Sequence, residues 1–169
     1  MLESFKRKKV EKYIIENRNS FYRLAYTYTK NEADALDVVQ DSIYKALTSI
    51  ESLKDFDSIR PWFYKILVRT SIDNLRKNKK YKEMIDIGEV NDNGKVDQYE
   101  DIDLQESLNK LPTEYKSIIV LRYFEDLKLD EIAKILDENT NTVKTRLYTG
   151  LKKLKIDIER WWRLWKKIN

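Results

Sequence analysis

The stretch Asp130-Glu-Ile-Ala-Lys-Ile-Leu136, Asp137-Glu-Asn139, Thr140-Asn-Thr-Val-Lys-Thr-Arg-Leu-Tyr-Thr-Gly-Leu-Lys-Lys-Leu154 decides how the C-terminal half of this chain is read. A short amphipathic segment, a three-residue break and a longer amphipathic segment fit a helix-turn-helix. Ala133 is the small residue where the two helices approach. Asp137 stands at the turn position that favours Gly, and Asp tolerates the left-handed conformation better than most residues. Asn139 is the expected cap of the second helix. Val143, Leu147, Leu151 and Leu154 share one face of that helix. Asn141, Thr145, Tyr148 and Lys152 point the other way, flanked by Thr142, Lys144, Arg146 and Thr149. Amide, hydroxyl and cationic groups in that arrangement suit base edges and phosphates in a major groove. The plainer reading is an ordinary amphipathic hairpin; the spacing, Ala133 and the polar face together favour DNA. Upstream, Pro112 is expected in the first turn of a helix running through Ile118, Leu121 and Phe124.

Residues 11–80 repeat the helical periodicity. Asn31 is a good N-cap, with Asp34 in the first turn behind it. Leu36, Val39, Ile43, Ala46, Leu47 and Ile50 are expected to form the buried face of that helix. Asp34, Asp37 and Asp41 lie opposite, beside Gln40 and Tyr44. This strip is either a solvated face or a dock for a basic partner. A further helix is expected from about Ser58, with Pro61 in its first turn. It buries Phe63, Tyr64, Leu67, Val68, Ser71 and Leu75, and turns Trp62, Lys65, Arg69, Arg76 and Lys80 outward. Cations that follow a phosphate backbone, with an aromatic ring for an unpaired base, suit single-stranded nucleic acid; the bland alternative is a soluble basic helix with Trp62 partly tucked into the core.

Residues 81–103 lose the periodicity and turn acidic, with Asn91-Asp-Asn-Gly94 among them, which reads as a linker. Residues 104–157 are helical again. Residues 158–169 place Trp161, Leu164, Trp165 and Ile168 opposite Arg160, Arg163 and Lys167, a basic Trp-rich amphipathic tail expected to pack on its domain or bind a partner. The class is therefore all-α: two small helical domains joined by an acidic linker. Scarce Gly and Pro, at 3 and 2 in 169 residues, agree with it. The net charge of +4 says less than its segregation along the chain. With no Cys and no His, thiol, disulfide and imidazole chemistry and Cys/His metal ligation are excluded. No Gly-rich phosphate loop is present, so no catalytic residue, metal, cofactor or small-molecule substrate is expected. Met1–Lys9 is charged with no apolar run behind it, so no signal peptide is read, and no stretch has the roughly 18 apolar residues of a membrane span.

Three blocks, taken in order, resemble the extracytoplasmic-function group of sigma-70-type RNA polymerase sigma factors. Asp34-Ala-Leu-Asp-Val-Val-Gln-Asp-Ser42 resembles region 2.2. Phe56-Asp-Ser-Ile-Arg-Pro-Trp-Phe-Tyr-Lys-Ile66 with Asp73-Asn-Leu-Arg76 resembles regions 2.3 and 2.4. Leu111-Pro112, Asp130-Glu-Ile-Ala133 and Thr142-Val-Lys-Thr-Arg-Leu147 resemble region 4. Asp41-Ser-Ile43, Trp62-Phe-Tyr64 and Leu121-Arg-Tyr-Phe-Glu-Asp-Leu127 look most like the sigma-V type, associated with lysozyme and cell-envelope stress. The chain departs from the family at Arg69, where Asn is common, and at Asp137-Glu-Asn139, where the turn is usually Gly-apolar-Ser.

The resemblance implies a sigma factor that binds core RNA polymerase, at the β′ clamp helices and β flap, and directs promoter-specific transcription initiation. Asp34, Asp37, Gln40 and Asp41 would dock the polymerase. Phe56, Asp57, Ser58, Trp62, Lys65, Arg69, Asn74, Arg76 and Lys80 would capture the single-stranded −10 element. Asn141, Thr142, Lys144, Thr145, Arg146, Tyr148, Thr149 and Lys152 would read the −35 duplex. It further implies a cytoplasmic protein held at the membrane by a membrane-anchored anti-sigma factor. Two rivals are a stand-alone helix-turn-helix regulator, which leaves the acidic strip idle, and a scaffold protein, which leaves Lys144, Arg146 and Tyr148 idle.

Overall fold

The computed structural model describes residues 2–85 and 108–154, and every element among them is helical. The expected linker beyond residue 85 and the expected Trp-rich tail lie outside the described residues. The chain divides into two compact units: α1 to α3 belong to the first, and the second holds most of α4 to α6.

In the first unit, α1 spans Leu2–Thr29, α2 Glu32–Thr48 and α3 Ile59–Ile85, with a single 3-10 turn at Ile50–Ser52. Helix α1 thus starts well before residue 11, and α3 continues past residue 80 into the stretch expected to be linker. Lys30 ends α1 in the left-handed region at φ 57°, its N–H donating to the Tyr26 carbonyl at 2.8 Å. The core is aromatic at its centre: the Phe21 ring lies 4.2 Å from Phe63 and 5.6 Å, edge-on, from Tyr64, and all three are buried. Removing one such ring costs about 3–5 kcal/mol.

Helix α2 buries Ala35, Val38, Val39, Ser42 and Ala46. Leu36, expected in the core, is instead 47% exposed, while Ile43 and Leu47 are only half-buried. The buried stripe runs through small residues because α2 packs on both α1 and α3, where small side chains let the backbones approach. The Ser42 hydroxyl is compatible with burial because it donates to the Val38 carbonyl at 2.7 Å. On α3 the expected Phe63, Tyr64, Leu67, Val68 and Ser71 are buried and Leu75 is half-buried.

In the second unit, α4 spans Thr113–Ile119, α5 Leu129–Leu136 and α6 Thr140–Lys153. Pro112 caps α4 rather than entering its first turn. Behind α4, Val120–Phe124 widens into a π turn, closed by the Glu125 N–H donating to the Val120 carbonyl at 3.1 Å. Ile118, Leu121, Leu127, Ile132, Val143, Leu147 and Leu151 are buried. Gly150 sets the separation of α4 from α6: a Cβ there would lie 3.1 Å from both Ile119 Cδ1 and Tyr115 Cβ.

Candidate nucleic-acid and polymerase interfaces

The helix-turn-helix is closed by local hydrogen bonds. The Lys128 N–H donates to Glu131 Oε2 at 2.8 Å and starts α5. Asp137 takes φ 54°, ψ 39°, and the Glu138 N–H donates to the Ala133 carbonyl at 3.0 Å, which ends α5. Asn139 Oδ1 accepts from the Thr142 N–H at 2.7 Å and caps α6, while the Thr140 hydroxyl donates to Asp130 Oδ1 at 2.8 Å across the turn.

Val143, Leu147, Leu151 and Leu154 are buried, and Asn141, Lys144, Thr145, Tyr148 and Lys152 are exposed. Tyr148, at 52% exposure, is the large aromatic of this face. Thr142 and Thr149 are half-buried. Arg146 differs from the other cations, because its Nη1 lies 2.9 Å from Glu138 Oε1 with both side chains about one-third exposed. Beside this face, burial pushes the Tyr123 phenol above its ordinary value; Arg122 opposes the rise and Tyr148 adds to it. Tyr123 therefore stays a neutral hydroxyl at physiological pH.

The acidic strip of α2 separates into two parts. Asp37, Gln40 and Asp41 are exposed. Asp34 turns inward: its Oδ2 accepts from Asn31 Nδ2 at 2.6 Å and from Asn78 Nδ2 of α3 at 2.9 Å, and its own N–H donates to Asn31 Oδ1 at 2.8 Å. Asn78 Nδ2 also reaches Asn74 Oδ1 at 3.2 Å, so Asn74 belongs to the same polar seam. Asp37 and Asp41 border a groove between α2 and α3 whose other polar walls are Lys45, Thr70, Asp73, Asn74, Arg76 and Lys77. Lys45 bridges it, 3.0 Å from Asp41 Oδ2 and 3.1 Å from Thr70 Oγ1. The α3 wall of this groove was not anticipated, because its contacts join residues 25 apart in sequence.

The remaining residues assigned to the −10 element gather at the start and along one side of α3. Trp62 is half-buried, and its Nε1 donates to Ser52 Oγ at 2.9 Å, which fixes the indole edge against the 3-10 turn. Asp55 accepts both the Ser58 N–H at 2.8 Å and the Ser58 hydroxyl at 3.0 Å, so the loop entering α3 carries its own cap. Phe56 is half-buried and Asp57 exposed. Arg69, Arg76 and Lys80 are exposed along the side that begins at Trp62 and Lys65. Arg76 lies 3.9 Å from Asp73, a weak surface pair. Ser52 and Asp55 carry this geometry without having been expected to. The Ser-rich turn and the Asp-x-x-Ser spacing are the signals that point to them.

Residues 14–81 match the family described as Sigma-70 region 2, and residues 101–154 match Sigma-70, region 4. RNA polymerase sigma factor SigV of Bacillus subtilis (strain 168) is 56% identical over 148 residues, which cover 87% of this chain and 89% of the relative. ECF RNA polymerase sigma factor SigW of the same organism is 28% identical, covering 82% of each chain. Among solved structures, the sigma factor RpoE crystallised with the anti-sigma factor NepR from Bartonella quintana superposes with a TM-score of 0.76 at 20% identity, over 88% of this chain and 95% of that one. CnrH in complex with the cytosolic domain of CnrY gives a TM-score of 0.64 at 18% identity, over 91% and 92%. With both regions matched in order and more than half of its residues shared with SigV along most of its length, the chain belongs to the extracytoplasmic-function group of sigma-70-type RNA polymerase sigma factors.

Proposed function

We propose that this sigma factor divides its work among three exposed faces. Asp37, Gln40 and Asp41 dock a basic surface of core RNA polymerase, on the clamp helices of β′. Phe56, Asp57, Ser58 and the Trp62-Lys65-Arg69-Arg76-Lys80 side of α3 hold the unpaired −10 strand. Asn141, Lys144, Thr145, Tyr148 and Lys152 read the −35 duplex, with Thr142, Arg146 and Thr149 at the margin of that face and the β flap as the polymerase contact of this unit. Asp34 acts behind these faces, joined to α3 through Asn78, and Asn74, which lines the groove beside Arg76, belongs with the −10 residues.

The observation that carries the reading is that exposed polar side chains line one side of α2, α3 and α6 while core occupies the other: Asp37, Gln40 and Asp41; Arg69, Arg76 and Lys80; and Asn141, Lys144, Thr145, Tyr148 and Lys152. Packing therefore does not require these residues to be what they are. Unstacking a base costs a few kcal/mol, which contacts to an aromatic ring and cations offset, so strand capture needs no catalytic group.

A membrane-anchored anti-sigma factor holding the chain idle at the membrane, and release under cell-envelope stress, complete the proposal. Of two solved proteins of this fold, the sigma factor RpoE is bound to the anti-sigma factor NepR, and CnrH is bound to the cytosolic domain of CnrY. No helix among the described residues is long and apolar enough to cross a membrane.

Run-off transcription with core polymerase on candidate −35/−10 promoters tests the whole. Promoter-dependent product that Asp37→Lys/Asp41→Lys abolishes is expected. Its absence on every such promoter refutes the proposal.

A further inference from the structure

The first turns of α1 lie ahead of the residues matched by the region 2 family, which begin at residue 14, yet they pack on the loop that enters α3. Lys6 Nζ donates to the Leu53 carbonyl at 3.1 Å. The Phe5 and Phe56 rings meet edge-to-face at 6.2 Å. Lys9 Nζ sits 4.8 Å from the Phe5 centroid and 4.3 Å from the Phe56 centroid, so a single ammonium covers both rings.

A brace for the loop would bury these groups. Lys6 and Phe56 are half-buried, whereas Phe5 is 56% exposed and Lys9 is exposed. Residues 6–12 carry five cationic side chains and one acid, Glu11. Arg7 and Lys12 pair along the helix with Glu11 and Glu16, at 3.0 and 3.8 Å, while Lys8 is exposed and Lys9, also exposed, lies against the aromatic pair. An exposed aromatic face with ammonium groups at its edge is the chemistry that holds an unpaired, negatively charged strand: the base stacks and the cation meets the phosphate.

We propose that Phe5, Lys9 and Phe56 form a second subsite for unpaired DNA, continuous through Phe56 with the −10 site. This rests on the −10 reading of α3 given above. The outward side of the Phe5 ring takes a base next to the captured segment, and Lys9 takes its phosphate. The subsite lengthens the strand that the first unit grips and is not expected to affect the −35 duplex or polymerase docking.

The test uses holoenzyme and the labelled non-template strand of a promoter it transcribes, as the −10 segment alone and lengthened by two nucleotides at either end. Wild-type protein gains about tenfold in affinity on lengthening at one end, the effect of one stacked base. Phe5→Ala/Lys9→Ala gains less than twofold at that end, Phe5→Trp/Lys9→Arg restores the gain, and −35 duplex binding is unchanged. An equal gain in wild type and Phe5→Ala/Lys9→Ala overturns the proposal. So does a uniform loss at every strand length, which is the signature of a brace. Trp62→Ala separates this failure from that of the underlying reading, because it weakens all strands only if α3 holds the −10 segment.

Discussion

Asp34 and its neighbours on α2 give opposite responses to substitution, and the contrast tests the division of the acidic strip. Asp34→Ala removes the acceptor of two side-chain hydrogen bonds, at 2.6 and 2.9 Å, and leaves the Asn31 cap on the Asp34 N–H at 2.8 Å in place. Hydrogen bonds to a charged group contribute about 1.5–3 kcal/mol each when buried, and an acid in the first turn adds about 0.3–1 kcal/mol. Asp34 is half-buried, so solvent screening reduces these figures, and a total loss of about 2 kcal/mol follows. For a unit of this size that lowers the melting temperature by roughly 10 °C. Asn78→Ala removes one of the two bonds and costs about 1 kcal/mol. Asp37→Lys/Asp41→Lys breaks only the exposed Asp41–Lys45 pair at 3.0 Å and changes stability by less than about 0.5 kcal/mol. Urea unfolding of the full chain reads the first effect. Titration with core polymerase well below the melting temperature reads the second, where the double lysine variant loses at least about tenfold in affinity and Asp34→Ala keeps it. Unchanged stability with lost polymerase binding in Asp34→Ala would refute the assignment, because it would place the carboxylate at the interface.

Other expectations follow from single contacts in the second unit and the end of α1. Asn139→Ala removes the cap on the Thr142 N–H and costs about 1 kcal/mol by chemical denaturation, with −35 duplex affinity falling as α6 frays. Gly150→Ala gains helix propensity of about 1 kcal/mol but presses on Tyr115 Cβ and Ile119 Cδ1, both at 3.1 Å, so it comes out near neutral. Gly150→Leu forces α4 and α6 apart and loses at least about 2 kcal/mol in the same denaturation assay. Glu138→Gln leaves Arg146 only a neutral acceptor, loosening its hold, and removes a negative charge beside the proposed DNA face. Duplex binding then tightens a few-fold, and the slope of log affinity against log salt steepens by about one in a fluorescence titration. Lys30→Gly relieves a left-handed backbone at φ 57° and raises thermal stability by about 0.5–1 kcal/mol, and a lower melting temperature would argue against strain there.

The features legible in the sequence are those decided within one helix. Val143, Leu147, Leu151 and Leu154 against Asn141, Thr145, Tyr148 and Lys152 needs only 3.6 residues per turn and a difference in polarity. Asp137 in the left-handed region and Asn139 as a cap follow from local backbone chemistry in the same way. On the α2 stripe Val39, Ala46 and Ile50 are buried as expected, but Leu36 is not, because hydrophobicity weighs it above Ala35 and Ser42 whereas close approach of α1 and α3 selects small side chains. A periodic pattern gives the angle of a face only as well as its largest residues mark it.

A charged face raises a harder question, since exposure and availability differ. Asp34 and Asp37 sit on one polar strip in sequence, and so do Arg146 and Lys144. Yet Asp34 is held by Asn31 and Asn78, and Arg146 by Glu138 at 2.9 Å. These partners come from the preceding turn or from another helix, so no periodicity contains them. A side chain already held in a charge-assisted bond must break it before meeting a ligand, and most of what the new contact contributes is then offset. Binding free energy at these faces should therefore concentrate on Asp37, Gln40, Asn141, Lys144, Thr145, Tyr148 and Lys152. Asp34 and Arg146, conspicuous as charges in the sequence, chiefly hold the scaffold that presents them.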